Sequence, residues 1–187
     1  MGRGAIVFPL GWPVALEEAG TRIPPASHKL PGNQKASRLY RMMRVAQDLS
    51  EIIENFSILD DWEDRYRYLI ELGRDLEPLD EAAHNDHNKV RGCASQVWVE
   101  STVVHGDDGS VRLELRGDSD AHIVRGLVAL VFALYSGQTC QAILDIDAQQ
   151  LFESLGLSSH LTPQRSNGVR SMVERIKKDA REALARG

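Results

Sequence analysis

Cysteine is scarce in this chain, which has two among its 187 residues, Cys93 and Cys140. Two cysteines in a chain of this length do not form a disulfide framework, so we expect free thiols and a reducing, cytoplasmic location. A metal site would need more soft ligands than these two, and the Cys/His pairs lack the spacing of a zinc finger. The composition therefore argues against a disulfide scaffold and against a bound metal.

Long apolar runs are missing as well. The most apolar stretch, residues 123–135, is interrupted by Arg125 and is well short of the roughly 20 residues that a bilayer core requires. The apolar amino-terminal residues are broken by Pro9 and Pro13, with no small-residue cleavage pattern, and Ile6 stands where myristoylation requires Ser or Thr. We therefore expect no membrane association and no signal peptide.

Basic residues are outnumbered by acidic ones outside the amino-terminal segment. Residues 1–41 carry six basic side chains against two acidic ones, a charge of about +4. Because the formal net charge of the chain is −5, residues 42–187 carry about −9. An acidic body repels phosphate backbones, which argues against nucleic acid as a ligand. A protein is the partner that this charge distribution accommodates more easily.

Proline is concentrated at one end. Five of the seven prolines lie within residues 1–36, which also contain five glycines, and such a density of helix and strand breakers predicts an irregular extension over residues 1–41. Regular apolar periodicity begins only after it, so residues 42–187 are expected to form one folded domain. Met42 and Met43 fall at the change in composition, and we hypothesise that one of them is the natural start.

Apolar periodicity over residues 42–187 predicts an α+β fold in which helices pack around a small antiparallel β-sheet. Strands are predicted at 96–104 and 111–116, joined by a hairpin turn. Helices are predicted at 43–56, from Asp60 or Asp61 to Leu76, and over the apolar stretch that ends at Tyr135, where Gly137 stops it. Two short helices are predicted after the caps Thr139 and Asp147, and a last helix begins at Pro163.

Four smaller expectations concern individual side chains. Asp118 and Asp120 stand before the apolar helix and are interpreted first as its caps, with a part in shaping the thiol pocket second. His84 and His87 are expected to be solvated loop residues. The aromatic side chains of Trp62, Tyr66 and Tyr68 are expected to be mostly core, and the last helix is expected to bury an apolar face ending at Leu184.

Cys93 is the first candidate for chemistry because it follows Gly92 in a loop before the apolar strand. Glycine leaves room for another backbone to approach and tolerates unusual dihedral angles. The thiolate is the reactive form, and Arg91 and Arg165 are the candidate cations that would favour it. An inert packed cysteine is an equally good interpretation of the residue types alone.

Other uses of these residues are weaker. A thiol hydrolase would need a histidine base oriented by a third group, and no local signature selects one among residues 84, 87, 105, 122 and 160. Cys140 follows a predicted helix cap, Thr139, and is interpreted as a small packed side chain.

The run RGCASQVW at residues 91–98 resembles the active-site signature of the SufE family, the sulfur acceptors of iron–sulfur cluster assembly. Further blocks resemble the family in family order over about residues 44–185. They are DWEDRY at 61–66, LIELG at 69–73, LRGDSDA at 115–121, IVRGL at 123–127 and HLTPQRSNG at 160–168.

The resemblance implies a SufE/IscU-like α+β fold and a sulfur carrier that is itself free of cofactor. Cys93 would take persulfide sulfur from a cysteine desulfurase of the SufS or CsdA kind, stimulate that enzyme, and deliver sulfur to a SufBCD-like iron–sulfur scaffold. PLP would belong to the desulfurase. A non-catalytic adaptor, sulfur relay to tRNA or cofactor modification, and homodimerisation stay open.

Residue roles follow from the same resemblance. Cys93 is the nucleophile, Gly92 gives the loop freedom, and Gln96 with Trp98 begins the supporting strand. Arg165 is implied to stabilise the thiolate or persulfide, with a structural salt bridge as the alternative. Asp118 and Asp120 complete the implied pocket.

Overall fold

The computed structural model describes residues 49–186. Helix α1 occupies 49–58, and the chain continues through α2 (Trp62–Arg74), β1 (Val97–His105), β2 (Val111–Ser119), α3 (His122–Tyr135), α4 (Cys140–Asp145), α5 (Ala148–Ser154) and α6 (Pro163–Arg186). Short 3-10 turns lie at Glu81–Ala83 and Leu157–Ser159. The expected α+β class is confirmed. The predicted boundary at residue 41 and the predicted helix start at Met43 lie outside the described residues.

Strands β1 and β2 form an antiparallel hairpin in which β1 is buried only near its start. The register runs from Val97 opposite Ser119 to His105 opposite Val111. Val97 and Val99 are fully buried near the start of β1, whereas Val103 is exposed near the hairpin turn. The end of the sheet that joins the Cys93 loop therefore lies in the core.

Neighbouring segments cover both outer edges of this hairpin. Along β2, Gly137 donates its backbone N–H to Leu113 at 2.7 Å. Along β1, Val90 donates to Val97 at 2.8 Å and Val99 donates to Asn88 at 2.7 Å. Pairing of this kind satisfies backbone groups that would otherwise template association with another strand.

The apolar helix α3 forms the centre of the core, with nine buried residues. It crosses α2 closely because residue 126 is glycine: a Cβ there would lie 2.0 Å from the carbonyl oxygen of Leu69. Any residue other than glycine at position 126 would therefore force one of the two helices to move. Trp62, Tyr66 and Tyr68 are only partly buried and pack against the core from outside, so their expected core position is wrong in degree.

Local capping chemistry was predicted correctly at three helices. The carboxylate of Asp61 accepts the N–H of Glu63 at 2.7 Å, Asp147 accepts that of Gln149 at 2.9 Å, and the hydroxyl of Thr139 accepts that of Ala142 at 3.1 Å. These short-range bonds satisfy amide groups that lack helical partners.

The capping role expected for Asp118 and Asp120 is wrong. Strand β2 continues to Ser119, three residues past its predicted end, and α3 has Ala121 as N-cap without a side-chain cap. The Ser119 hydroxyl accepts the N–H of Ala121 at 3.3 Å instead. In the last helix Ala183 is buried and Leu184 is 38% exposed, so the apolar face ends one residue earlier than expected.

Candidate active site around Cys93

The loop that carries Cys93, residues 91–96, is fixed at both ends. Its stem is the pairing of 88–90 with the start of β1. At the far end, Asp120 accepts the N–H of Gln96 through its carboxylate at 3.0 Å and donates its own N–H to the carbonyl of Gln96 at 3.3 Å. Asp120 therefore supports the loop that carries the thiol, although it does not itself line the cavity.

Gly92 permits the turn that brings Cys93 inward. Its φ of +91° lies in the left-handed region that favours glycine. A Cβ at this position would also lie 2.8 Å from the hydroxyl oxygen of Ser171 on α6. The dihedral angle strains any larger residue beside the thiol, and the contact would in addition require the Ser171 hydroxyl to shift.

The thiol faces a small cavity between the loop, α3 and α6. Its volume is about 20 Å³, which is room for about one water-sized group. Its lining comprises the loop residues Cys93, Ala94 and Ser95, the α3 residues Val124 and Leu127, and the α6 residues Gln164, Arg165, Gly168, Val169 and Met172. The walls are mostly apolar, with Arg165 and Gln164 on one side.

Gly168 touches the sulfur directly. Cys93 Sγ donates a hydrogen bond to the Gly168 carbonyl oxygen at 3.5 Å. A Cβ at residue 168 would lie 3.3 Å from the same sulfur and 3.9 Å from Cys93 Cα. Glycine on this face of α6 therefore lets the loop pack flat against the helix.

Burial raises the pKa of the half-buried Cys93 thiol. Arg165 lines the same cavity, whereas Arg91 is exposed and lines a separate cleft. Desolvation of the thiolate by burial is the cause of this upward shift. The docked sulfur is thus a neutral, weakly nucleophilic thiol at neutral pH.

Asp118 does not line the cavity but connects three structural elements. Its carboxylate lies 3.3 Å from Arg125 Nε on α3 and 3.4 Å from His84 Nε2. His84 is half-buried and its ring meets Trp98 edge-on, with centroids 4.7 Å apart. The expectation that His84 is solvated is therefore wrong, while His87 is exposed as expected.

The part of the chain that the structure describes offers little support for two alternative chemistries. No histidine of residues 49–186 lines the Cys93 cavity, so these residues do not assemble a thiol–histidine pair of the hydrolase kind there. Within residues 49–186, no group of three His, Cys, Asp or Glu side chains is placed to hold a metal ion.

No described helix combines the length and apolarity needed to cross a membrane.

Several cavity residues were not singled out from the sequence. Val124, Leu127 and Met172 follow helical apolar spacing and are expected only as core residues. Gly168 belongs to the HLTPQRSNG block, and its place inside a predicted helix, where glycine is unfavourable, is the signal that could have identified it.

Residues 50–180 match the family model SufE, described as an Fe-S metabolism associated domain. The chain belongs to the SufE family. An uncharacterized SufE-like protein of Rhizobium meliloti (strain 1021) is 52% identical over 136 residues, 73% of this chain and 96% of the relative. A second, from Rhizobium etli, is 53% identical over 137 residues, 73% of this chain and 92% of the relative. Membership connects this SufE-family chain with Fe–S metabolism.

The fold has a counterpart among solved structures. The solution structure of a hypothetical protein from Thermus thermophilus is similar with a TM-score of 0.58, at 22% identity, covering 73% of this chain and 96% of that one. At this identity the likeness concerns the fold alone. The comparison supports the α+β architecture of this SufE-family domain.

Proposed function

We propose that this chain is a sulfur acceptor and carrier that takes persulfide sulfur onto Cys93 from a cysteine desulfurase and passes it on for iron–sulfur cluster assembly. The observation that carries the proposal is the position of Cys93. It lies on a short glycine loop, next to an apolar cavity, in a chain of a family associated with Fe–S metabolism.

The transfer step is a thiol exchange without net oxidation. The Cys93 thiolate attacks the outer sulfur of the donor's persulfide, a new S–S bond forms to Cys93, and the donor's S–S bond breaks. The donor cysteine leaves as a thiolate and takes up the proton that Cys93 lost. Cys93 then carries the sulfane sulfur as a persulfide, and the PLP chemistry that generated it belongs to the desulfurase.

The cavity suits a persulfide better than a larger adduct. Adding one sulfur atom to Cys93 requires about the space of one water molecule, and the cavity offers about 20 Å³. Apolar walls from α3 and α6 would keep water and oxidants from a species that oxidises readily. Arg165 and Gln164 also line the cavity, and their proposed role is to stabilise the charge of the persulfide.

Movement of the Cys93 loop out of its cavity would change the reactivity of the thiol. In the docked loop, burial raises the pKa of the thiol and so lowers its thiolate fraction, and exchange requires the thiolate. Leaving the cavity removes the desolvation cost, so the pKa returns toward its ordinary value at the moment the sulfur meets a partner. The carrier is then reactive when undocked and protected when docked.

The deciding experiment is mass spectrometry of the chain after incubation with a cysteine desulfurase and cysteine. We expect the mass of one added sulfur on Cys93, loss of the adduct and of desulfurase stimulation in Cys93→Ser, and retention of both in the matched control Cys140→Ala. A folded Cys93→Ser protein that still stimulates the desulfurase would instead favour a non-catalytic adaptor. An intact wild-type chain that never acquires sulfur would refute the carrier function.

A further inference from the structure

A second cleft lies on the other side of the Cys93 loop. It has a volume of about 490 Å³ and runs between the 86–91 turn and α6. We call it the basic groove, and its lining residues are Asp86, His87, Lys89, Val90, Arg91, Ser171, Glu174, Arg175, Lys178 and Arg181. Ser171, which contacts Gly92, belongs to its wall, so the groove and the thiol share one loop.

The groove carries five arginine or lysine side chains and two carboxylates. Two of the cations already have partners, since Arg175 pairs with Asp179 at 3.0 Å and Lys178 with Glu182 at 3.6 Å. Arg175 also donates a hydrogen bond to the His87 carbonyl oxygen at 2.9 Å, so its guanidinium is already engaged by the protein.

The remaining three cations are unpaired within the part of the chain that the structure describes. Lys89, Arg91 and Arg181 make no ion pair with any side chain of residues 49–186. Asp86 and Glu174 lie in the same lining without neutralising them. Unpaired cations concentrated on one face contrast with a body whose net charge is about −9.

We propose that the basic groove docks an acidic segment of the protein with which Cys93 exchanges sulfur. The inference rests on the proposed sulfur-carrier function and adds the chemistry of the partner's contact. Charge complementarity favours acidic side chains, and the volume accommodates several of them. The chain's own residues 1–41 carry about +4 and fit poorly.

Docking there would place the partner beside the thiol. Val90 and Arg91 line the groove and immediately precede Gly92 and Cys93. A segment bound along the groove therefore lies next to the loop that must leave its cavity. Attraction between exposed charges is screened by salt, so this docking is strongest at low ionic strength.

The first test uses a fluorescently labelled oligoglutamate peptide as the probe, with binding followed by fluorescence anisotropy. We expect Lys89→Glu and Arg181→Glu each to weaken binding about fivefold, and Glu174→Gln to strengthen it. Arg67→Glu on α2, exposed and outside the groove, is the control for net charge and should bind as the wild type does. Equal binding by all five proteins would overturn the proposal, as would tighter binding of inorganic phosphate or of a single-stranded RNA of the same charge.

A second measurement separates this proposal from the carrier function. Inorganic polysulfide can load Cys93 without docking, because the thiolate takes one sulfane sulfur and leaves a shorter polysulfide. Groove variants should load from polysulfide at the wild-type rate but load severalfold more slowly from a desulfurase at low salt. If the variants and the wild type load equally from the desulfurase, the groove proposal is wrong. If the wild type loads from neither donor, the carrier function is wrong and the peptide result still judges the groove.

Discussion

The two cysteines of this chain differ in access rather than in the direction of their pKa shift. Cys140 begins α4, has 0% exposure and belongs to the main core. Cys93 is half-buried on a loop of six residues between the 88–90 segment and β1. Burial raises the pKa of both thiols. A raised pKa therefore marks burial in each case, and only Cys93 has a route from burial to solvent that leaves the core intact.

The largest expected difference between them is in alkylation by iodoacetamide. Cys93 needs only local opening of its loop, whereas Cys140 needs unfolding of the core, which is populated at about one part in a thousand or less. We expect Cys93 to react at least about a thousandfold faster, as followed by peptide mass spectrometry over time. Comparable rates at the two positions would show that the loop does not open independently of the core.

The contrast also predicts different costs for the same substitution. Cys140→Ser places a hydroxyl in an apolar core and should lower the free energy of unfolding by about 1–3 kcal/mol. Cys93→Ser lies at a half-exposed position and should cost about 0.5 kcal/mol or less. Urea denaturation of both variants measures the difference, and a Cys93→Ser cost as large as that of Cys140→Ser would mean that the loop is part of the core.

The success of sequence reasoning divides along the same line between local and distant contacts. Asp61, Thr139 and Asp147 were identified as caps because a cap bonds to an amide two or three residues away. Gly117 to Asp120 contains turn-forming residue types, yet β2 continues through the first three of them, to Ser119. The reason is distant: a Cβ at Gly117 would meet Phe132 of α3 at 2.8 Å, and the pairing of β2 with the start of β1 continues to Ser119.

The site shows the same division. The Cys93 loop could be found from a glycine, a thiol and the following strand, which are neighbours in sequence. The walls of its cavity come from α3 and α6, some 30 to 80 residues later, and in sequence these residues are indistinguishable from core. Periodicity identifies the buried face of each helix but not which loop that face covers.

Gly168 offers a smaller test of how closely Cys93 depends on α6. Gly168→Ala gains roughly 1 kcal/mol of helix propensity but places a Cβ 3.3 Å from the thiol sulfur. We expect this contact to cancel the gain and to raise the alkylation rate of Cys93 by moving the loop outward. In a Cys93→Ala background the sulfur is absent, so the contact is removed. There Gly168→Ala should increase the free energy of unfolding by the helix-propensity gain. Equal stability changes in both backgrounds would mean that the loop yields without cost.

The smallest expected effect is a pH dependence of the free energy of unfolding. It arises from the Cys93 thiol itself rather than from the residues packed against it. Because the folded-state pKa of Cys93 is raised above that of the unfolded chain, the folded state holds this proton more tightly. The resulting stabilisation is complete below the unfolded-state pKa and is lost as the pH rises through the folded-state pKa. We therefore expect the wild type to lose unfolding free energy relative to Cys93→Ala on going above the ordinary thiol value of 9.0, with Cys140 present in both proteins and cancelling. Urea denaturation across this range measures it. Parallel stability curves would show that the loop leaves the cavity before the thiol ionises, in which case docking and ionisation are separate events and the protection of the persulfide must come from its partners.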